Sequence, residues 1–129
     1  GVDNASDPRE LLELAKTAAK KYGIIICMSG ETDYITDGKF TLSINNGHKM
    51  MTQVTGMGCT ASALTAALLT SDENKLICTA AAMAINGIAG QIAAEKSQGT
   101  GSFQLQFLDT LSRLNHETIS QYLQFDEHN

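Results

Sequence analysis

Three observations in the sequence predict a layered α/β fold. Ile24-Ile25-Ile26-Cys27-Met28 is a continuous apolar run of the kind that forms a strand covered on both faces. Alternating residues on either side of Asp37-Gly38 mark a hairpin, and helical patterns fill most of the remainder. Only two or three strands are visible against four or five helices. A fully apolar strand wants neighbours on both edges, so the sheet is expected to be incomplete and the chain to be one half of a larger α/β unit.

The elements follow in order. Asp7-Pro8 opens a helix, the aspartate as N-cap and the proline at the first helical position, with Leu11, Leu12, Leu14, Ala15 and Ala18 on one face. It should end near Tyr22-Gly23 and lead into the apolar strand at 24–28. Tyr34-Ile35-Thr36 and Phe40-Thr41-Leu42-Ser43-Ile44 pair across Asp37-Gly38, and Asn45-Asn46-Gly47 closes the hairpin. Helices are then expected from about Cys59 to Leu69, from about Asn74 to Lys96, and through Phe107, Leu108, Leu111 and Leu114. A short one follows Asn115. Gln98-Gly99-Thr100-Gly101-Ser102 separates the second of these from the third.

Composition narrows the function. The chain has 129 residues, 43% hydrophobic and 18% charged with one proline, which suits one globular domain or part of one. A net charge of −5, with Lys20-Lys21 as the only adjacent basic pair, argues against a nucleic-acid partner. Cys27, Cys59 and Cys78 form no CxxC pattern and cannot all pair, so a reducing, cytoplasmic setting is expected. Gly1-Val2-Asp3-Asn4 carries no basic or apolar leader and reads as cut from something longer. Leu76 to Ala94 lacks charge over a length that could cross a bilayer. Its Ala, Gly, Thr, Asn86 and Gln91 suit a buried core helix better, so no membrane partner is expected.

The most informative stretch is Thr55-Gly56-Met57-Gly58-Cys59-Thr60. A glycine turn there feeds a cysteine into the first turn of an alanine-rich helix, where N–H groups lack internal partners and the helix dipole is positive. Phosphate or a developing oxyanion is favoured at such a place, and so is a cysteine thiolate. The bland alternative is a tight loop entering a core helix. Gly56-x-Gly58-x-x-Ala61 is a weak dinucleotide match because Lys49 to Gln53 is not a clean strand, and no Gly-Lys-Ser/Thr phosphate loop occurs. Pairing of Cys59 with His48 as nucleophile and base has no support in spacing, and His116 and His128 lack partners for a zinc site. Ser29-Gly30-Glu31 follows the apolar strand at its carboxyl end, where open α/β sheets place ligand loops.

The ordered set Gly1-Val2-Asp3, Ser29-Gly30-Glu31-x-Asp33, Asn46-Gly47-His48-x-Met50-Met51-Thr52-x-Val54-Thr55-Gly56-Met57-Gly58-Cys59 and Gly101-Ser102-Phe103 resembles the hydroxyethylthiazole kinase family. The likeness spans essentially all of 1–129 and corresponds to the C-terminal part of that family's single kinase domain. It implies a ribokinase-like three-layer αβα sandwich, of which this chain supplies the C-terminal half. It also implies transfer of the ATP γ-phosphoryl group to 5-(2-hydroxyethyl)-4-methylthiazole in thiamine salvage, with Mg2+ beside the nucleotide and a homotrimer with sites at subunit contacts. Carried over by position, Cys59 stands where most ribokinase-like kinases have an aspartate base, Gly56 is a thiazole contact, and the N–H groups of Gly56, Met57, Gly58 and Cys59 form the anion hole. Ser29 stands where the family usually has an ATP-contacting threonine, and Met57 where threonine or alanine is more usual. The remaining thiazole contacts, an ATP-contacting arginine and the acidic residues around magnesium belong to the family's N-terminal half, the expected partner of this chain, and no metal ligand is expected within 1–129. Two other classes stay open: a non-catalytic α/β module binding a small phosphate ligand or a partner chain, and a cysteine-dependent acyl or thiol transferase.

Overall fold

A computed structural model describes residues 7–71 and 73–128. Gly1-Val2-Asp3 of the family pattern lies outside the described residues. Helix α1 (Pro8–Tyr22) starts as expected, with the Asp7 carboxylate accepting the Arg9 N–H at 3.0 Å, and ends at Gly23 in a left-handed conformation, φ 62°. Strands β1 (Ile26–Met28), β2 (Asp33–Thr36) and β3 (Thr41–Ile44) come next, then a 3-10 turn (Lys49–Gln53), helices α2 (Met57–Leu68), α3 (Lys75–Lys96), α4 (Thr100–Arg113) and α5 (His116–Tyr122), and strand β4 (Phe125–His128).

The four strands form one antiparallel sheet in the order β1-β2-β3-β4. The hairpin lies where alternation put it, with Ile35 opposite Leu42 and Asp33 opposite Ile44. Its turn is held by the Asp37 carboxylate, which accepts the Lys39 and Phe40 N–H groups at 2.8 and 2.7 Å. Gly38 has φ 90°, and a Cβ there would stand 2.7 Å from the Lys20 nitrogen, so the turn seats directly on α1.

Helix α1 packs on β1 and β2, while α3 packs on β2 and β3. Ile35, Leu42 and Ile44 share one face by strand alternation and meet Leu76, Ala80, Met83 and Ala84 of α3 with Ala61 of α2. Thr36 and Thr41, at alternate positions, are buried on the α1 side and joined by a 2.9 Å hydroxyl hydrogen bond. Helices α2 and α4 flank α3, and a second cluster of Ala89, Ala93, Phe103 and Phe107 lies where α3 leaves the sheet. The result is three layers, with the sheet between α1 on one face and α3, flanked by α2 and α4, on the other.

Three expectations are corrected. The run at 24–28 contributes only Ile26–Met28 to the ladder, with Cys27 exposed and Ile24 on the surface, because β1 is an edge strand among the described residues and not a doubly covered one. β4 has no apolar alternation and all four of its residues are exposed, so nothing in the sequence announced it. In α4, Phe103, Phe107 and Thr110 face inward, whereas Leu108 is exposed. Helix α3 is long and apolar enough to cross a membrane, yet 78% of its apolar window is buried inside this fold. Its small residues let α2, α4 and the sheet approach closely, and are thereby used within the chain.

Candidate functional site

The glycine turn folds as its residue types require. Gly56, with φ 98°, is the N-cap of α2, a conformation that L side chains rarely adopt. The helix starts at Met57, two residues before the expected Cys59, so Cys59 lies in its first turn. The first internal bond is Thr60 N–H to the Gly56 carbonyl, 2.9 Å. Gly56 offers no capping side chain, and no acceptor among the described residues takes the Met57, Gly58 or Cys59 N–H. Three donors at the positive end of α2 are thus available, with the exposed Cys59 side chain beside them. A Cβ at Gly56 or Gly58 would meet nothing within 4 Å, so space lies next to the backbone at both positions. The Met57 side chain turns away and packs on Ala89, Ala93, Phe103 and Phe107, consistent with a site that uses the backbone at this position.

The approach to this turn is anchored on α3. Asn46, 4% exposed, donates from Nδ2 to the Gln91 side-chain oxygen at 2.6 Å and to the Tyr122 carbonyl at 2.8 Å, and its Oδ1 accepts the Gln124 N–H at 2.9 Å. Its backbone lies so close to Gly87 that a Cβ there would overlap it, and Met51 fills the same role over Gly90. Glycines one helical turn apart therefore let the segment from Asn46 to Met51 lie against α3 and deliver Gly56. His48, exposed, caps the 3-10 turn by accepting the Met50 N–H on Nδ1 at 3.1 Å, and no hydrogen bond links it to Cys59.

Ser29 is exposed in the β1–β2 connection. That connection and the exit of β3 leave the same end of the sheet, since Met28 pairs with Tyr34 and Asp33 with Ile44. Thr32 Oγ1 donates to Asn45 Oδ1 at 2.9 Å, and Gly30 N–H donates to Asp33 Oδ1 at 3.0 Å. No hydrogen bond joins Ser29 to the 56–59 turn. What relates them is the framework of β3, Asn46 and α3. Burial pushes the Asp33 carboxyl up to about 6, against the opposing pull of the Gly30 N–H. Both Asn46 and Asp33 stand in the sequence only as letters of a pattern; the buried hydrogen bonds of Asn46 reach Gln91 on α3, Tyr122 at the end of α5 and Gln124, all distant in sequence, whereas Asp33 bonds locally to the Gly30 N–H.

Ser102 Oγ accepts the Gln98 and Gly99 N–H groups at 3.1 and 3.2 Å, which closes the turn into α4. Among the described residues no group of three or more His, Cys, Asp or Glu side chains converges as a metal site.

The model of the hydroxyethylthiazole kinase family matches residues 1–117. The chain is 46% identical over 123 residues to the hydroxyethylthiazole kinase of Syntrophus aciditrophicus, covering 95% of this chain and 46% of that one. It is 45% identical over 124 residues to that of Vibrio parahaemolyticus, covering 95% and 46%. The structure superposes on that of a hydroxyethylthiazole kinase protein from Pyrococcus horikoshii with a TM-score of 0.86 and 33% identity, over 94% of this chain and 48% of that one. The chain thus spans about half the length of the relatives it matches.

Proposed function

Because the chain belongs to the hydroxyethylthiazole kinase family, we propose that it is the C-terminal part of an ATP-dependent kinase that phosphorylates the hydroxyl of 5-(2-hydroxyethyl)-4-methylthiazole. The observation that carries this reading is the α2 N-terminus, with three N–H donors, open space beside two glycines, and a cysteine within the same turn. In this reading the alcohol oxygen bonds to the γ-phosphorus as the bond from phosphorus to the ADP oxygen breaks. Cys59, beside the reacting alcohol, stands in the position of the base, and the alcohol proton leaves to water. The Gly56, Met57, Gly58 and Cys59 N–H groups hold the equatorial oxygens of the moving group, and Gly56 also contacts the thiazole. The transition state is loose, so position and charge stabilisation matter more than base strength, and a sulfur can take the role of a carboxylate. Ser29 contributes a hydroxyl to the nucleotide.

The resemblance to the family places the acidic residues that would hold Mg2+ beside the nucleotide in the N-terminal half of the domain. We further assign a homotrimeric, cytoplasmic enzyme. Exposed Leu14, Phe40, Ile77, Leu105, Leu108 and Phe125 leave apolar surface for the rest of the domain and for neighbouring subunits. The absence of disulfides among Cys27, Cys59 and Cys78 suits a reducing compartment.

The test is the intact mass of every polypeptide in the preparation, followed by an ATP/thiazole phosphorylation assay on the same sample. Thiazole phosphate formed by a longer chain, or by this chain with a complementary partner, is the expected result. A complete domain that binds nucleotide and transfers nothing would overturn the kinase reading in favour of a binding module. Rapid alkylation of Cys59 regardless of nucleotide would favour thiol transfer chemistry.

A further inference from the structure

A ligand loop is only as precise as what holds it. Ser29, Gly30 and Glu31 are all exposed, and the connection they form is tied at two points. One tie is Thr32 Oγ1 to Asn45 Oδ1; Asn45 is itself fixed by its N–H to the Gln124 carbonyl at 2.9 Å and by its Nδ2 to Asp126 at 3.1 Å. The other is the Gly30 N–H to Asp33 Oδ1, 3.0 Å.

Asp33 is the unusual member. It opens β2 opposite Ile44, is 7% exposed, and has no cationic partner among the described residues. A buried carboxylate without a cation costs stability, and burial pushes this one up to about 6. An asparagine oxygen could accept the same N–H without that cost. What the carboxylate adds is a charge-assisted bond, roughly twice as strong as a neutral one.

We propose that Asp33 is a positioning residue for the nucleotide, acting through Ser29: its carboxylate ties down Gly30 and so fixes the loop that presents the Ser29 hydroxyl. The proposal rests on the kinase reading. Stability is given up at β2 so that a four-residue loop holds one shape.

The test uses Asp33→Ala, Asp33→Asn, Ser29→Ala and the Asp33→Ala/Ser29→Ala double variant in the complete kinase. The readouts are affinity for a non-hydrolysable ATP analogue, KM for the thiazole alcohol, and hydrogen exchange at the Gly30 amide. Asp33→Ala should weaken analogue binding about tenfold, speed Gly30 exchange and leave the alcohol KM within about twofold. Asp33→Asn should restore most of the affinity, and the double variant should bind about as Ser29→Ala alone, since the two act through one contact. Additive effects of the two single variants, or unchanged affinity with faster Gly30 exchange, would overturn the proposal. If Asp33→Ala does not fold, Asp33→Asn decides: the expected result is a measurable loss of affinity with faster Gly30 exchange, and wild-type values for both overturn the proposal. A wild-type enzyme that binds the analogue but phosphorylates no thiazole sinks the kinase reading alone, whereas one that binds no nucleotide overturns both.

Discussion

Cys59, Gly58 and Asp33 each separate what the fold needs from what the chemistry needs. Cys59 is exposed in the first turn of α2 and supports no core contact. Cys59→Ala should therefore leave melting unchanged and lower kcat roughly tenfold or more, while Cys59→Asp keeps or raises it, measured in the complete enzyme. Unchanged turnover in Cys59→Ala would remove the sulfur from the reaction. At Gly58 a Cβ meets nothing within 4 Å, so Gly58→Ala should stabilise α2 by up to about 1 kcal/mol and yet reduce phosphoryl transfer, because the methyl group enters the space left for phosphate. Asp33 makes stability depend on pH. Its folded pKa, about 6, lies above the ordinary 3.8, so the native state holds the proton more tightly. Its contribution is full below pH 4 and is lost as pH rises through 6, a difference of no more than about 3 kcal/mol and less where water reaches the group. Asp37 has the opposite sign: the Phe40 N–H leads in holding its carboxyl below 3.8, so its contribution is lost only as pH falls below that value. Denaturant midpoints measured from pH 4 to 8 should fall in the wild type and stay nearly flat in Asp33→Asn.

Among the elements, α3 carries the greatest demand for small residues. Gly87 faces the Asn46 backbone, which cannot move without displacing β3, whereas Gly90 faces the flexible Met51 side chain. Gly87→Ala should cost about 2–3 kcal/mol and Gly90→Ala distinctly less, read by chemical denaturation. Most of this architecture was legible. Asp7-Pro8 named a helix start through local capping, the apolar pattern placed the start of α3 near Asn74, and Asp37-Gly38 named the hairpin through local turn chemistry. Gly56 to Cys59 was legible because a helix N-terminus needs only its own residues. β4 was not, since its place is set by pairing with β3 some eighty residues earlier and its exposed Phe-Asp-Glu-His carries no period. The apolar run at β1 misled for a related reason: hydrophobicity records what a strand will be covered by, and Ile24 and Cys27 are not covered within this chain. Asn46 owes its importance to Gln91, Tyr122 and Gln124, partners distant in sequence that no local pattern encodes, and Asp33 to a burial that its local bond to Gly30 does not announce.

At the scale of the whole molecule, the chain corresponds to about half of its relatives' length. A cavity of about 430 Å³ opens between α3 and the β3–β4 side of the sheet, lined by Phe40, Ile77, Leu123 and Phe125. If the assigned homotrimer forms, sedimentation of the complete enzyme should give a single species of three subunits, and a monomer at micromolar concentration would refute it. The two rims of the sheet differ in kind. β4 carries Asp126 and Glu127, whose charges resist the approach of another strand, whereas β1 presents Ile26, Cys27 and Met28 with Ile24 and Ile25 before them and neither a charge nor a proline. Handled alone, the 129-residue chain is therefore expected to be an aggregation hazard at one rim only, gathering through β1 into thioflavin-positive assemblies as concentration rises. Ile26→Lys should suppress that behaviour and leave the β4 rim unchanged.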